Sequence, residues 1–101
     1  EFEHGKRLAR TQLLLSTYQD QASLVRRRLD REIQLVEHIE AQLAIATKHG
    51  DDTAPRIARE LKDAQYWLER TQQEYELIQQ EIASTKSELE HARQSLKNPN
   101  E

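Results

Sequence analysis

The residues of this chain that could take part in chemistry are few. Its histidines do not recur at the i, i+4 spacing with which two imidazoles on one helix face bind a metal; they are His4, His38, His49 and His91. The absence of cysteine excludes disulfides and thiolate metal sites. The sequence also lacks a glycine-rich phosphate loop and a serine placed after a strand. We therefore expect no catalytic residue, no metal site, no cofactor and no enzymatic activity.

The densest basic feature is the run Arg26-Arg27-Arg28, which is followed one turn later by Arg31. At about 100° per residue these side chains spread around a helix, so that Arg26 and Arg28 flank a helix seam while Arg27 and Arg31 point outward. This pattern favours a solvated, salt-bridged face, and contact with an acidic partner or anionic lipid is the alternative. No sustained basic face marks a nucleic-acid site, since the net charge is -3.

The elements that must position these residues are long helices. Of the 101 residues, 33% are charged and 36% are hydrophobic, with only two glycines and two prolines. Such a composition suits helices better than a compact core. No apolar run approaches the roughly 20 residues that a membrane-spanning helix needs, and we expect a cytoplasmic protein.

One clear break divides the chain. Lys48 and His49 suit a helix C-terminus, Gly50 suits a left-handed cap, and Pro55 suits a first helical turn. We predict an all-α fold, an antiparallel coiled-coil helical hairpin, with a helix over residues 6 to 49, a turn over 50 to 53 and a helix over 54 to 97. We predict that residues 1 to 5 are disordered or a cloning remnant, and that residues 98 to 101 are a disordered tail.

Heptad repeats support this hairpin, because apolar residues recur every three or four positions through both arms. The predicted a positions of the first arm are Leu8, Leu15, Ala22, Leu29, Val36 and Leu43, and its d positions are Thr11, Tyr18, Val25, Glu32, Ile39 and Ala46. Those of the second arm are Ala54, Leu61, Leu68, Tyr75, Ile82, Leu89 and Leu96, and Ile57, Ala64, Thr71, Ile78, Thr85 and Ala92.

Folding the arms back on each other predicts specific neighbours. Arg28 then lies near Glu74, and Glu32 forms a polar layer with Thr71 that lowers stability but helps to fix the register. Leu35 and Trp67 fall on the same flank of the seam, and we expect Trp67 to fold over it. Tyr66 is predicted to face outward.

Two stretches resemble the Rho-effector homology region 1 repeat, also called the REM repeat. Residues 32 to 40 are similar to the acidic and apolar run of that repeat's first long helix. The second arm carries the repeat's Ala-Gln, leucine, threonine and apolar-acid-apolar-apolar spacing at Ala64-Gln65, Leu68, Thr71 and residues 75 to 78. The resemblance covers about residues 24 to 82. It also implies that residues 6 to 17 can form a short separate helix that ends near Tyr18.

The resemblance implies that the hairpin binds an active, GTP-loaded Rho-family GTPase and has no catalysis of its own. GTP dependence would come from switch loops that the γ-phosphate orders. The expected contacts form an amphipathic, partly basic surface consisting of Leu24, Arg27, Arg31, Tyr66, Arg70 and Leu77.

Two alternatives remain open. One is a structural coiled-coil segment that dimerises or spaces other domains, in which the hairpin either closes on itself or exchanges arms with a second chain. The other is a membrane-associated hairpin, because residues 41 to 65 also look like the hairpin tip of the phage-shock-protein A family. The N-terminal residues lack the large apolar face with basic edges that membrane insertion needs.

Overall fold

The computed structural model describes residues 2 to 97 and contains two helices, α1 (Phe2–Lys48) and α2 (Ala54–Lys97). They form an all-α antiparallel hairpin, and the predicted fold class is confirmed. By its contacts the chain divides into two compact units. Unit 1 comprises residues 1 to 24 with 76 to 101, and unit 2 comprises residues 25 to 75. Glu1, the predicted tail of residues 98 to 101 and the side chain of His4 lie outside the described residues.

The N-terminal boundary differs from the prediction. Helix α1 begins at Phe2, so residues 2 to 5 are helical rather than disordered. Glu3 in the first turn complements the positive end of the helix dipole, and Gly5 weakens a helix without ending it. The separate short helix over residues 6 to 17 does not form, because α1 continues without interruption past Tyr18, which lies half-buried in the heptad stripe.

The core of unit 2 follows the heptads. Its buried residues are Val25, Leu29, Val36, Ile39, Ala46 and Thr71. Each of these stands at a predicted a or d position. Partly buried side chains, among them Leu43, Leu68 and Tyr75, extend the same stripe. Two helices alone cover a narrow seam, which is why many a and d residues keep some exposure.

Unit 1 is built on the same pattern but is richer in threonine and alanine. Its buried residues are Thr11, Ala22, Ile82, Thr85, Leu89 and Ala92. The buried hydroxyls of Thr11 and Thr85 donate hydrogen bonds to the carbonyls of Arg7 (2.8 Å) and Glu81 (2.7 Å), one turn earlier. These bonds satisfy polar groups that would otherwise be costly to bury. Leu96, a predicted a residue in the last described turn of α2, is 40% exposed.

A Schellman turn ends α1. Gly50 has a φ of 62°, the N–H of Asp51 donates to the carbonyl of Ala46 (2.9 Å), and the N–H of Gly50 donates to that of Thr47 (3.2 Å). The Asp51 carboxylate then accepts a hydrogen bond from the backbone N–H of Thr53 (2.9 Å) just before α2. That backbone bond, together with one from the Thr53 side chain, lowers the pKa of Asp51 below its ordinary 3.8. Together these hydrogen bonds hold the backbone of the turn between α1 and α2.

Replacing Gly50 with alanine should lower the free energy of unfolding by about 1 kcal/mol, because a Cβ is unfavourable at positive φ. Apart from Gly50 and its two chain neighbours, no residue has a heavy atom within 4 Å of the added Cβ, so the cost comes from the backbone conformation alone. Urea unfolding followed by circular dichroism measures it. Gly5→Ala is the matched control, since Gly5 is helical with equally open surroundings and alanine should stabilise it slightly. Equal stability of Gly50→Ala and the parent chain would contradict the prediction.

Candidate partner-binding surface

The largest exposed aromatic groups of unit 2 are adjacent on α2. Tyr66 is 51% exposed and Trp67 is 59% exposed. Their rings meet edge to face, with centroids 5.2 Å apart and an interplanar angle of 81°, an arrangement that aromatic pairs favour. Tyr66 faces outward as predicted. Trp67 is predicted to fold over the seam, but its exposure shows that its side chain does not cover the seam. The heptad position of Trp67 lies at the edge of the seam between the two helices.

Arg70 lies one turn after Tyr66 and is held against it. Its Nη1 donates a hydrogen bond to the Tyr66 hydroxyl (3.0 Å), and its guanidinium carbon lies 5.5 Å from the centroid of the ring. A guanidinium has five N–H donors, so this contact orients the group and leaves donors for another acceptor. Arg70 therefore presents a positive charge beside the exposed aromatic pair.

The four arginines of the basic cluster divide into two pairs. Arg26 pairs with Asp30 (Nε to Oδ1, 3.3 Å) and lies over the Tyr75 ring, 5.9 Å from its centroid. Arg28 pairs with Glu74 across the helices. Arg27 and Arg31 are exposed, and in residues 2 to 97 no ion pair involves either of them. Arg27 and Arg31 are therefore accessible to a partner.

Leu24 and Leu77, the two apolar members of the predicted surface, belong to unit 1. They are 64% and 62% exposed. All six predicted contact residues are thus exposed, and four of them, Arg27, Arg31, Tyr66 and Arg70, belong to unit 2. Of these four, Tyr66 and Arg70 are in direct contact.

Arg28 connects the basic cluster to two carboxylates. Besides its contact with Glu74, its Nε lies 4.0 Å from Oε1 of Glu32. That separation is too long for a hydrogen bond. Both the Nε of Arg28 and the Oε2 of Glu32 are buried without a hydrogen-bond partner. The predicted neighbours Arg28 and Glu74 are confirmed, and Glu32 is half-buried at its d position.

Sequence reasoning missed that Leu35 and Trp67 remain open to solvent together. Leu35 is 50% exposed. Leu35 lies one heptad after Arg28, and Trp67 lies one heptad before Glu74, so both are nearer to the turn. The contact between Arg28 and Glu74 shows that these heptad positions of the two helices share one flank of the seam. The heptad could have predicted this exposure, since residues at the position shared by Leu35 and Trp67 lie beside a coiled-coil seam and are not enclosed by it.

The exposed groups of this surface are aromatic rings and guanidinium cations. Among the described residues no group of three or more His, Cys, Asp or Glu side chains is placed to hold a metal ion. Neither described helix combines the length and apolarity needed to cross a membrane. Exposed aromatic rings beside oriented cations are typical of protein-recognition surfaces, in which Trp, Tyr and Arg supply much of the affinity.

Comparison with protein-family models, curated proteins and solved structures finds no match to this chain. The resemblance to the Rho-effector homology region 1 repeat therefore depends on the sequence motifs alone.

Proposed function

We propose that this chain is a non-catalytic protein-interaction domain that binds a GTP-loaded Rho-family GTPase through the outer surface of unit 2. The observation that supports the proposal is the exposed contact between Tyr66 and Arg70. It combines an apolar ring with a cation that is already oriented, which reduces the entropy lost on binding.

Arg27 and Arg31 support the same proposal from α1. Their charges have no intrachain ion pair in the described part of the chain, so an acidic partner would not have to break one. Carboxylates of a GTPase surface are suitable acceptors for such groups. Selectivity for the GTP-bound state would come from the switch loops of the GTPase, which the γ-phosphate orders.

The nucleotide dependence is tested by a pull-down in which the immobilised chain meets Rho-family GTPases loaded with a GTP analogue or with GDP. We expect retention of the GTP-analogue form. Equal binding in both states, or none, would remove the GTPase from the proposal.

Reversing the charge of both outward arginines, Arg27→Glu with Arg31→Glu, should weaken GTPase binding about tenfold or more, because two attractive contacts become repulsive. Titration calorimetry measures the affinity, and circular dichroism checks that the helices persist. The matched control is Lys86→Glu with Arg93→Glu, two exposed cations of unit 1. Unchanged affinity in the first variant would exclude Arg27 and Arg31 from the site.

A further inference from the structure

The outer face of α2 in unit 2 carries a symmetric row of exposed side chains. Its members recur at intervals of four, three, one, three and four residues, the spacing of one helix face. We name this row the α2 stripe, and it consists of Arg59, Asp63, Tyr66, Trp67, Arg70 and Glu74. The midpoint of the stripe lies between the two aromatic residues.

The charges of the α2 stripe are inverted about this midpoint. Asp63 and Arg70 lie at equal distances on the two sides of the aromatic pair and carry opposite charges. Farther out, Arg59 and Glu74 also lie at equal distances and carry opposite charges. An identical helix laid antiparallel against the stripe would therefore meet an opposite charge at every charged position. A parallel copy in register would meet like charges at the same positions.

We propose that the α2 stripe binds a second copy of this chain, antiparallel and related by a two-fold axis through the aromatic pair. In this dimer Tyr66 faces Trp67 of the second copy, and Asp63 faces Arg70 of the second copy. Two-fold symmetry makes each contact occur twice. The aromatic pair forms the apolar centre, and the ion pairs form the rim.

The groups that form the rim are prepared for this contact. Arg70 is oriented by its hydrogen bond to Tyr66, and Glu74 is held by Arg28. Among residues 2 to 97 no ion pair involves Asp63 or Arg70. Association therefore brings these two charges together without breaking an existing pair, and the orientation of Arg70 lowers the ordering cost.

A second copy fits the α2 stripe better than an acidic or a basic partner does. A partner of one charge sign would be attracted at two of the four charged positions and repelled at the other two. The stripe instead requires a surface with alternating charges at the same spacing, and its own antiparallel copy supplies them. The inference does not depend on the proposed GTPase partner.

Charge exchange tests the dimer. We expect sedimentation equilibrium of the parent chain to show a concentration-dependent monomer–dimer equilibrium. The single variants Asp63→Arg and Arg70→Asp should each weaken self-association about tenfold or more, because each sets like charges against each other. Mixing the two single variants should restore a dimer, since one then carries two cations and the other two carboxylates at these positions. The double variant should also dimerise by itself.

The single tryptophan supplies a second readout, because Trp67 is 59% exposed and would be buried in the dimer. Its fluorescence emission should shift to shorter wavelength as the concentration of the parent chain rises. Glu69→Arg, an exposed reversal beside the stripe, is the control and should leave self-association unchanged. A parent chain that stays monomeric, or a dimer that is indifferent to both single reversals, overturns the proposal. The second result is what arm exchange through the seam predicts.

Discussion

Replacing Leu29 with alanine is expected to lower the free energy of unfolding by about 2 to 5 kcal/mol. Leu29 is 5% exposed at an a position of unit 2, and truncation removes its buried methyl groups and leaves a cavity. A two-helix seam has no second layer that could collapse into that cavity. Urea unfolding, followed by the circular dichroism of the helices, measures the loss.

Leu24→Ala is the matched control for this experiment. It removes the same atoms from a leucine that is 64% exposed on the same helix, and substitutions at such surface positions change stability by about 0.5 kcal/mol or less. If both variants lost the same stability, the assignment of the seam to the a and d positions would be wrong.

The second large effect has the opposite sign. Replacing Glu32 with leucine should raise the free energy of unfolding by about 1 to 3 kcal/mol. The Oε2 atom of Glu32 is buried without a hydrogen-bond partner, and the substitution removes this desolvated acceptor from a d position. Arg28 retains its contact with Glu74. Thermal and urea unfolding of the variant and parent chains measure the gain.

Glu37→Leu is the control, because it makes the same replacement at an exposed position of the same helix and removes no buried charge. A loss of stability in Glu32→Leu would mean that the carboxylate and Arg28 stabilise each other more than their burial costs. The register of the leucine variant can be checked from cross-links between the helices, since removal of a polar layer also removes one constraint on pairing.

The hairpin could be predicted from sequence because several independent signals agree. The heptads identified the buried residues of both units, and the Gly50 region identified the turn. The pairing of Arg28 with Glu74 also followed, since the turn fixes which residues lie across from each other. These are properties of local spacing, which sequence displays directly.

The start of α1 and the position of Trp67 could not be predicted in the same way. A helix without a strong cap can begin at any of several residues with little change in energy, so its first turn is poorly determined by composition. Whether Trp67 covers the seam depends on how much apolar surface two helices leave at their edge. Spacing alone does not measure that area.

The exposure of the six candidate residues was predictable, but the contacts among them were not. All six predicted residues are exposed, as outward heptad positions should be. The orientation of Arg70 by Tyr66 depends on the rotamers of both side chains, which a sequence does not specify. The sequence gives no reason to single out Asp63 and Arg59, because charged residues are common on helix surfaces. Their arrangement becomes informative only when a second copy of the helix is placed against them.

The two proposals share Tyr66 and Arg70. A second copy on the α2 stripe would cover both side chains and keep them from a GTPase. The GTPase and the second copy would therefore compete, and the apparent affinity for the GTPase would fall as the concentration of the chain rises. The charge-exchanged double variant separates the effects, because it keeps the dimer while it changes the charge at position 70.

The division into units has a consequence for the order in which the chain folds. Unit 2 is continuous in sequence, whereas the two segments of unit 1 are joined only through residues 25 to 75. Closing unit 1 around an unfolded unit 2 would form a loop of that length, whose entropy costs on the order of 3 to 4 kcal/mol. Once unit 2 has formed, that loop no longer has to be closed. A pathway that starts at the Gly50 turn and proceeds toward the termini therefore has the lower entropic barrier.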